Sequence, residues 1–497
     1  MEAFQSLMDG FAICFQWQYL LFTILGCLVG TIIGVLPGVG PAAGTAMLLP
    51  LTFGMSPTAS IIMLSAIYYG AMYGGTITSV LLNVPGEAAS AITCLDGHAM
   101  AKKGRAGSAL AIAAIGSFIG GTVATFGLVL LALPLTRFAL KFGPPEFFSL
   151  MFVGLSLAVA LASKSMVRAL IAAVIGLLLA MIGIDPVMGV PRFTFGEKAL
   201  LDGIGIVPIA MGLFGIGELL LTAEGAKPSV INTRLRDMWP SWQEFKTSFW
   251  PIIRGTGIGF FMGLIPGVGV LVPTFISYAV EKKISKSPEK FGTGMIEGVA
   301  APEAANNAYC NAAMIPLFTL GIPGSAVIAI IMGAFMMNGL IPGPFLFKEH
   351  PDIAWAVIAS FYVGNLILLI MNLPMIPLWV SFLRIPIPIL YTLILGFCVI
   401  GSYSAEHSVF EVGLTLVFGL LGYAFKKLDI PLAPIILTVI LGPLMERALR
   451  QSLEMSRGDF TIFFTRPISA ALLGLAVVFV VTSLMKMTAH VKEDQEV

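Results

Sequence analysis

The stretch GCLVGTIIGVLPGVG, from Gly26 to Gly40, has a near copy in GTGIGFFMGLIPGVG, from Gly255 to Gly269. Both copies place glycine at every fourth position and end in Pro-Gly-Val-Gly at a constant offset. Proline lacks the backbone N–H and fixes its φ angle, so each apolar helix is expected to stop at its Pro-Gly pair. Interrupted helices at corresponding positions of two halves are the pattern that points to a binding site in a membrane transporter.

Composition restricts the class of protein. Of the 497 residues, 57% are hydrophobic and 11% are charged, whereas a soluble domain carries about 25% charged residues. We therefore predict an all-α polytopic membrane protein embedded in a lipid bilayer. The net charge of +1 excludes the usual basic surface of a nucleic-acid-binding protein. HExxH, GxSxG, GxxxxGK[ST] and cofactor fingerprints do not occur in the sequence, so we predict neither an enzyme nor a covalently held cofactor.

Each copy of the glycine stretch opens one half of the chain. In the first half, the arm after the Pro-Gly break is only about 12 residues long, too short to span a bilayer that needs roughly 20. A short arm after a break predicts a re-entrant hairpin, which membranes tolerate only against protein or a water-filled cavity. The first predicted repeat, 1–223, has a hairpin at about 17–54, a broken span at about 58–101 and four spans at about 108–135, 145–163, 168–184 and 205–222. A cytoplasmic linker at 224–246 follows. The second repeat, 247–450, has a hairpin at about 248–280, a broken span at about 293–343 and four spans at about 353–376, 386–403, 409–424 and 431–447, and an extra span with a polar tail occupies 451–497.

The distribution of Lys and Arg predicts how the two halves are oriented. Basic residues are favoured in short cytoplasmic loops. Each half has one hairpin and five crossings, an odd number, so the two halves are predicted to be inverted relative to one another. The loops then placed inside are 102–105, 164–168, 224–246 and 281–290, and three arginines that this arrangement places outside are Arg447, Arg450 and Arg457.

The four predicted breaks, at 37–41, 83–87, 266–269 and 321–325, offer two kinds of helix end. Exposed N–H groups favour anions, and exposed carbonyls together with side-chain oxygens can coordinate a cation. We expect the breaks to meet near the middle of the membrane and to bind substrate there. The predicted substrate-binding residues are Pro37, Gly38, Val39, Gly40, Asn83, Pro85, Gly86, Pro266, Gly267, Gly269, Asn306, Asn307, Pro323, Gly324 and Ser325. The candidate ligands of a coupling Na⁺ are Thr76, Ser79, Glu87, Glu303, Asn311 and Thr319.

Each of these features also has a purely structural interpretation. Glycine at every fourth position is typical of close helix packing, and Pro-Gly pairs can kink a helix without binding anything. Glu87 and Glu303 could line a cavity rim or cap a helix, although a carboxylate inside a membrane is a functional candidate by default. Asn306 and Asn307 could hydrogen-bond neighbouring helices together.

Three longer blocks resemble one known family. GVLPGVGPAAGTAMLLPLTF (34–53), YYGAMYGGTITSVLLNVPGEAASAITCLDGHAMAKKGRAG (68–107) and GVAAPEAANNAYCNAAMIPLFTLGIPGS (298–325) are similar to the large membrane subunit of tripartite tricarboxylate transporters, the TctA type. The resemblance covers nearly the whole chain. It implies a multi-pass protein of the bacterial inner membrane that imports organic carboxylates such as citrate. It also implies two partners, a small four-span membrane subunit and a periplasmic solute-binding protein.

We therefore expect secondary active import of organic carboxylates, coupled to a Na⁺ or H⁺ gradient. The alternatives are a carboxylate or anion channel and a membrane-embedded enzyme. The hairpins and broken spans are expected to form a substrate-carrying core whose exposure alternates between the two faces. The sequence leaves open which acid is carried, which ion drives transport, and whether the core slides or rocks.

Overall fold

Helices account for most of the structure, a computed structural model that describes residues 2–36, 39–161, 165–185, 188–224, 239–376, 378–379 and 387–493. The helices before the central linker are α1 (Glu2–Cys14), α2 (Trp17–Val35), α3 (Gly40–Leu48), α4 (Pro57–Leu82), α5 (Ala99–Lys102), α6 (Ala106–Ala139), α7 (Pro144–Leu161), α8 (Met166–Ala180), α9 (Ile206–Ala210) and α10 (Gly217–Ala223). A π-helical turn, Met211–Ile216, joins α9 to α10.

The helices after the linker follow a similar order. They are α11 (Trp242–Gly263), α12 (Leu271–Ile284), α13 (Glu297–Ala312), α14 (Met314–Leu320), α15 (Ala326–Met337), α16 (Leu346–Glu349), α17 (Pro351–Asn372), α18 (Ile387–Glu406), α19 (Val409–Lys427), α20 (Leu432–Met455), α21 (Ile462–Thr465) and α22 (Pro467–Glu493). Two strands that the sequence did not predict, β1 (Gly183–Ile184) and β2 (Pro191–Arg192), pair antiparallel in the loop between α8 and α9. Each strand has two residues, which is too few for an alternating pattern to be recognised.

Seven of the described helices are long and apolar enough to cross a membrane, and five shorter apolar helices accompany them. Every plain span predicted from the sequence coincides with a helix. The prediction of an all-α polytopic membrane protein is therefore confirmed. The inverted orientation of the two halves stays a prediction.

The glycine steps of α2 place this helix directly against α4. A Cβ atom added to Gly30 would lie 2.3 Å from the carbonyl oxygen of Ile67, and one added to Gly34 would lie 2.2 Å from that of Ala71. Any larger residue would force the two backbones apart. These glycines therefore serve close packing, as the structural interpretation of the repeat predicted.

The second copy of the stretch packs in the same way, with α11 against α13. A Cβ atom on Gly255 would lie 2.2 Å from the carbonyl oxygen of Ala301, and one on Gly259 would lie 2.2 Å from that of Ala305. In both halves, the first arm of the hairpin thus contacts the first long helix after the hairpin, α4 in one half and α13 in the other. The repeated sequence produces a repeated helix pair.

The breaks at 83–87 and 321–325 share one backbone conformation. Asn83 ends α4 in the left-handed region with φ +58°, and Gly321 ends α14 with φ +71°. Four residues later, Glu87 (φ −147°, ψ 165°) and Ser325 (φ −154°, ψ 170°) are extended and each caps the next helical turn. The break at 83–87 differs from the prediction in position, because it follows a helix of 26 residues instead of dividing a crossing in its middle. No proline lies inside α4, so nothing interrupts its backbone hydrogen bonds before Pro85.

Candidate functional site

Glu87 lies at the second of the four breaks, 83–87, and is held by a residue of the opposite half. Its side chain is 6% exposed, and its Oε1 accepts a hydrogen bond of 2.9 Å from Nδ2 of Asn306 on α13. Its backbone N–H donates a hydrogen bond to the hydroxyl oxygen of Ser90, and the same oxygen accepts a 2.8 Å hydrogen bond from the hydroxyl of Ser79. The carboxylate of Glu87 is therefore held by a side chain of the second half, while its backbone is held by Ser90 of the first half.

Glu303 lies one helical turn before Asn306 on the same face of α13. Its side chain is 1% exposed. Its Oε2 accepts a 2.7 Å hydrogen bond from Thr76 of α4, and its Oε1 accepts a 2.6 Å hydrogen bond from Thr93. Both carboxylate oxygens are thus satisfied by hydroxyl groups from the first half.

Both carboxylates are buried without a basic partner. Among the described residues, no Lys, Arg or His side chain forms an ion pair with Glu87 or Glu303. Burying a bare charge is costly, so a carboxyl group in this setting is stabilised by a nearby cation or by a proton of its own. The pair is chemically suited to respond to either ion.

The two breaks of the second half are joined by direct hydrogen bonds. The backbone N–H of Gly267 donates to the carbonyl oxygen of Gly324 across 3.1 Å. The hydroxyl of Tyr309, on α13, donates to the same oxygen across 3.0 Å. Gly267 has φ +84°, which a residue with a side chain rarely adopts.

The two breaks of the first half also lie close together. A Cβ atom on Gly86 would lie 2.5 Å from the carbonyl oxygen of Gly34, at the end of the first glycine stretch. One on Gly40 would lie 4.0 Å from the carbonyl oxygen of Gly86. Since α13 carries both Asn306 and Tyr309, this helix connects the break pair of the first half to that of the second.

The predicted substrate-binding residues are distributed around these junctions, and Pro37 and Gly38 lie outside the described residues. Gly86, Pro323 and Gly324 are buried, whereas Asn83 is exposed. Asn307 donates to the carbonyl oxygen of Glu303 in its own helix across 3.3 Å. The half-buried members of the set are Val39, Gly40, Pro85, Pro266, Gly267, Gly269 and Ser325.

Four of the six candidate Na⁺ ligands converge and two do not. Thr76, Ser79, Glu87 and Glu303 belong to the hydrogen-bonded cluster described above. Asn311 instead donates to the carbonyl oxygen of Gly121 on α6 across 2.9 Å. Thr319 donates to the carbonyl oxygen of Ile315 in its own helix across 2.7 Å. The contact of Asn311 joins α13 to α6, the contact of Thr319 stays within α14, and neither involves a carboxylate.

Comparison with known proteins identifies the family of this chain. Residues 20–437 match the tripartite tricarboxylate transporter TctA family. This chain belongs to the TctA family. It is thus the membrane component of a tripartite transporter and a multi-pass membrane protein.

Two relatives of this TctA-family chain come from Agrobacterium vitis. One is described as an uncharacterized 52.8 kDa protein in the TAR-I ttuC' 3' region and is 47% identical over 441 residues, or 88% of each chain. The other is described as an uncharacterized protein in the TAR-II ttuC' 3' region and is 46% identical over 237 residues, which is 48% of this chain and 98% of the relative. No solved structure matches this chain.

Several polar residues of this TctA-family chain that lie near Glu87 and Glu303, or on a helix close to them, were not predicted from the sequence. Thr93 donates to the carboxylate of Glu303, and Ser90 accepts from the backbone N–H of Glu87; both lie in the short turns after the break at 83–87. Asn365 and Asn372 lie seven residues apart on α17, which places them on one face two turns apart. These two isolated amides in the strongly apolar helix α17 could have been recognised as functional candidates from the sequence, because polar side chains inside a membrane are rarely without a role.

The helix ends at the hairpin tips of this TctA-family chain differ from those at the other breaks. The N-termini of α3 and α12 have no side-chain cap, whereas Ser325 caps α15 by accepting from the N–H of Ile328. Uncapped N–H groups carry partial positive charge and need an acceptor. Binding of an anionic group at the hairpin tips stays a prediction.

Proposed function

We propose that this chain is the permease subunit of a tripartite, binding-protein-dependent importer of organic carboxylates, driven by a Na⁺ or H⁺ gradient. Membership of the TctA family supports transport in general. The observation that carries the finer proposal is the contact between Glu87 and Asn306. It joins the buried carboxylate at the break 83–87 to α13, the helix that also holds the two breaks of the second half. The proposal includes no catalytic step.

The hairpin tips would bind the carboxylate groups of the substrate. Their support is the absence of side-chain caps on α3 and α12, which leaves N–H groups to be satisfied by a ligand. Gly40, the first residue of α3, and Gly269, two residues before α12, have φ +66° and +70° and present no side chain to obstruct the approach. Di- and tricarboxylates have two or more anionic groups and could engage both tips at once.

The buried carboxylates would couple transport to an ion. Glu303 and Glu87 are held by donors from both halves, so their protonation or the binding of a cation beside them changes contacts that join those halves. Such a change can bias which face of the membrane the site opens to, because an ion shifts an equilibrium only through contacts that differ between states. We propose that the hairpins and broken spans move together as the substrate-carrying core.

The tripartite family supports two partners in the bacterial inner membrane and periplasm. We propose that a small four-span membrane subunit accompanies this chain and that a periplasmic solute-binding protein delivers the substrate. Neither partner has to contribute to the carboxylate cluster, because every donor to Glu303 comes from this chain.

The test is reconstitution of the chain in lipid vesicles with candidate small subunits and solute-binding proteins. Uptake of radiolabelled di- and tricarboxylic acids is followed under an imposed Na⁺ gradient, an imposed proton gradient, and neither. We expect accumulation above the external concentration under one of the gradients only, and only with the binding protein present. Equilibration without accumulation would instead identify a channel, and consumption of the acid would identify an enzyme.

A further inference from the structure

A small cavity lies directly behind Glu303, between α4, α6 and α17. It leaves about 10 Å³ for the centre of a water-sized guest, which is room for one water molecule or one small ion. Its polar lining consists of Tyr73, Thr76, Ser117 and Asn372, and the rest of its wall is apolar. None of the predicted substrate-binding residues belongs to this wall.

The three hydroxyl groups of the lining all donate their hydrogens elsewhere. Tyr73 donates to Oδ1 of Asn365 across 2.7 Å, and Thr76 donates to Oε2 of Glu303 across 2.7 Å. Ser117 donates to the backbone carbonyl oxygen of Glu303 across 3.4 Å. Each hydroxyl oxygen therefore has only lone pairs left for the cavity.

The amide of Asn372 completes the same pattern. Its side chain is 4% exposed, and its Nδ2 donates to the carbonyl oxygen of Leu368 in its own helix across 2.9 Å. Its Oδ1 is buried and accepts no hydrogen bond from any described group. A buried amide oxygen without a donor costs free energy unless a guest satisfies it.

We propose that this cavity binds one monovalent cation, Na⁺, as the coupling ion; the inference rests on the proposed function and deepens it. A lining that offers four oxygen acceptors, with all three hydroxyl hydrogens already donated elsewhere, suits a hard cation better than a water molecule, which has only two hydrogens to give. The negative charge comes from Glu303, which lies on the far side of the Thr76 hydroxyl. Divalent ions are normally bound by carboxylates directly, whereas here the contacting oxygens are neutral.

Occupation of this cavity would affect the breaks through a short series of contacts. The cation would fix Thr76 and thereby Glu303 on α13. The same helix carries Asn306, which holds Glu87 at the second break, and Tyr309, which holds Gly324 at the fourth. Ion binding and the arrangement of the breaks would thus be linked by one rigid helix.

The test measures Na⁺ alone on the full-length chain purified in detergent. Thermal unfolding is recorded in increasing NaCl, with choline chloride keeping the ionic strength constant. A ligand that binds only the folded protein raises the unfolding temperature in a saturable way. We expect a Na⁺-specific rise in the wild type, its loss in Asn372→Leu, and its retention in Ser360→Ala, which removes a buried hydroxyl from the same helix outside the cavity.

Two further variants keep the test decisive if Asn372→Leu does not fold. Asn372→Asp retains the oxygen and adds charge, so its apparent affinity for Na⁺ should rise. Ser117→Ala removes one acceptor, and its affinity should fall about tenfold. A wild type without a Na⁺-specific rise, or an equal rise in all variants, would overturn the site.

The failure of this inference is distinguishable from the failure of the proposed function. If vesicles accumulate carboxylate under a gradient while purified protein shows no Na⁺-specific stabilisation, the cavity is not the ion site and the transport proposal stands. If Na⁺ stabilises the protein through Asn372 but no carboxylate accumulates, the ion site stands and the transport proposal fails.

Discussion

The amide nitrogen of Asn306 lies 2.9 Å from a carboxylate oxygen of Glu87, although 219 positions separate the two residues in the chain. One residue belongs to a helix of the second half and the other to a break of the first. Their contact makes the cluster sensitive to any movement of one half against the other.

Replacement of Glu87 by Gln should separate the hydrogen bond from the charge. The Gln side chain can still accept from Asn306, so folding should be retained, but it can neither bind a proton nor neutralise a cation. We expect gradient-driven accumulation to be lost while exchange of internal for external substrate continues, both measured in vesicles. Glu289→Gln, in the exposed linker, is the matched control, and normal accumulation in Glu87→Gln would remove this carboxylate from coupling.

Replacement of Thr93 by Val should weaken the cluster while preserving its shape. The change leaves Oε1 of Glu303 without its hydroxyl donor. A buried acceptor left unpaired costs about 1–3 kcal/mol, so we expect a lower unfolding temperature and at least a fivefold fall in uptake. Thr125→Val is the control, since the Thr125 hydroxyl bonds only within its own helix. Equal effects of the two variants would contradict a special role for Glu303.

Two glycines of α11 provide a matched pair for the packing of the hairpin. Gly259→Ala places a Cβ atom 2.2 Å from the carbonyl oxygen of Ala305, whereas the space around Gly257 is open. We expect Gly259→Ala to lower both the unfolding temperature and uptake severely. Gly257→Ala should be tolerated or slightly stabilising, because alanine favours helix by up to about 1 kcal/mol. Tolerance of both variants would show that α11 and α13 can separate without loss of function.

Asp96 is fully buried and holds the segment that leads into α13. Its carboxylate accepts from three backbone N–H groups in 292–295 and from the hydroxyl of Tyr278. Asp96→Asn would turn an amide N–H₂ toward these donors. We expect a lower unfolding temperature and faster proteolysis in the 285–295 linker, with Asp9→Asn at an exposed position as the control. Unchanged proteolysis would mean that the linker is held by other contacts.

Labelling of single added cysteines should test the inverted orientation of the halves. Met55→Cys and Lys290→Cys lie at corresponding points, each between a hairpin and the helix that follows it. The five native cysteines are buried, so an impermeant thiol reagent should modify only the added residue. We expect the two positions to be labelled from opposite faces of the membrane. Labelling from the same face would rule out inverted halves.

One of the three arginines that the predicted topology places outside is paired with acidic neighbours. Arg450, which the predicted topology places outside, bonds Asp185 across 2.8 Å and Glu446 across 2.7 Å. Arg192 contacts the same two carboxylates. Counting Lys and Arg along the chain treats each as a free charge, whereas these arginines are largely neutralised by their neighbours.

The sequence by itself determined where helices stop and where they pack closely. Proline has no N–H and glycine has no Cβ, so the Pro-Gly breaks and the four-residue glycine steps have their effect wherever the chain carries them. Only the tertiary structure decided that Glu303 meets Thr93, that Asn372 faces an acceptor-lined cavity, and that Asn311 turns toward α6 instead. Those contacts depend on which helices become neighbours across 190 residues or more. A hydrogen bond is fixed by that packing and not by the spacing of residues along the chain.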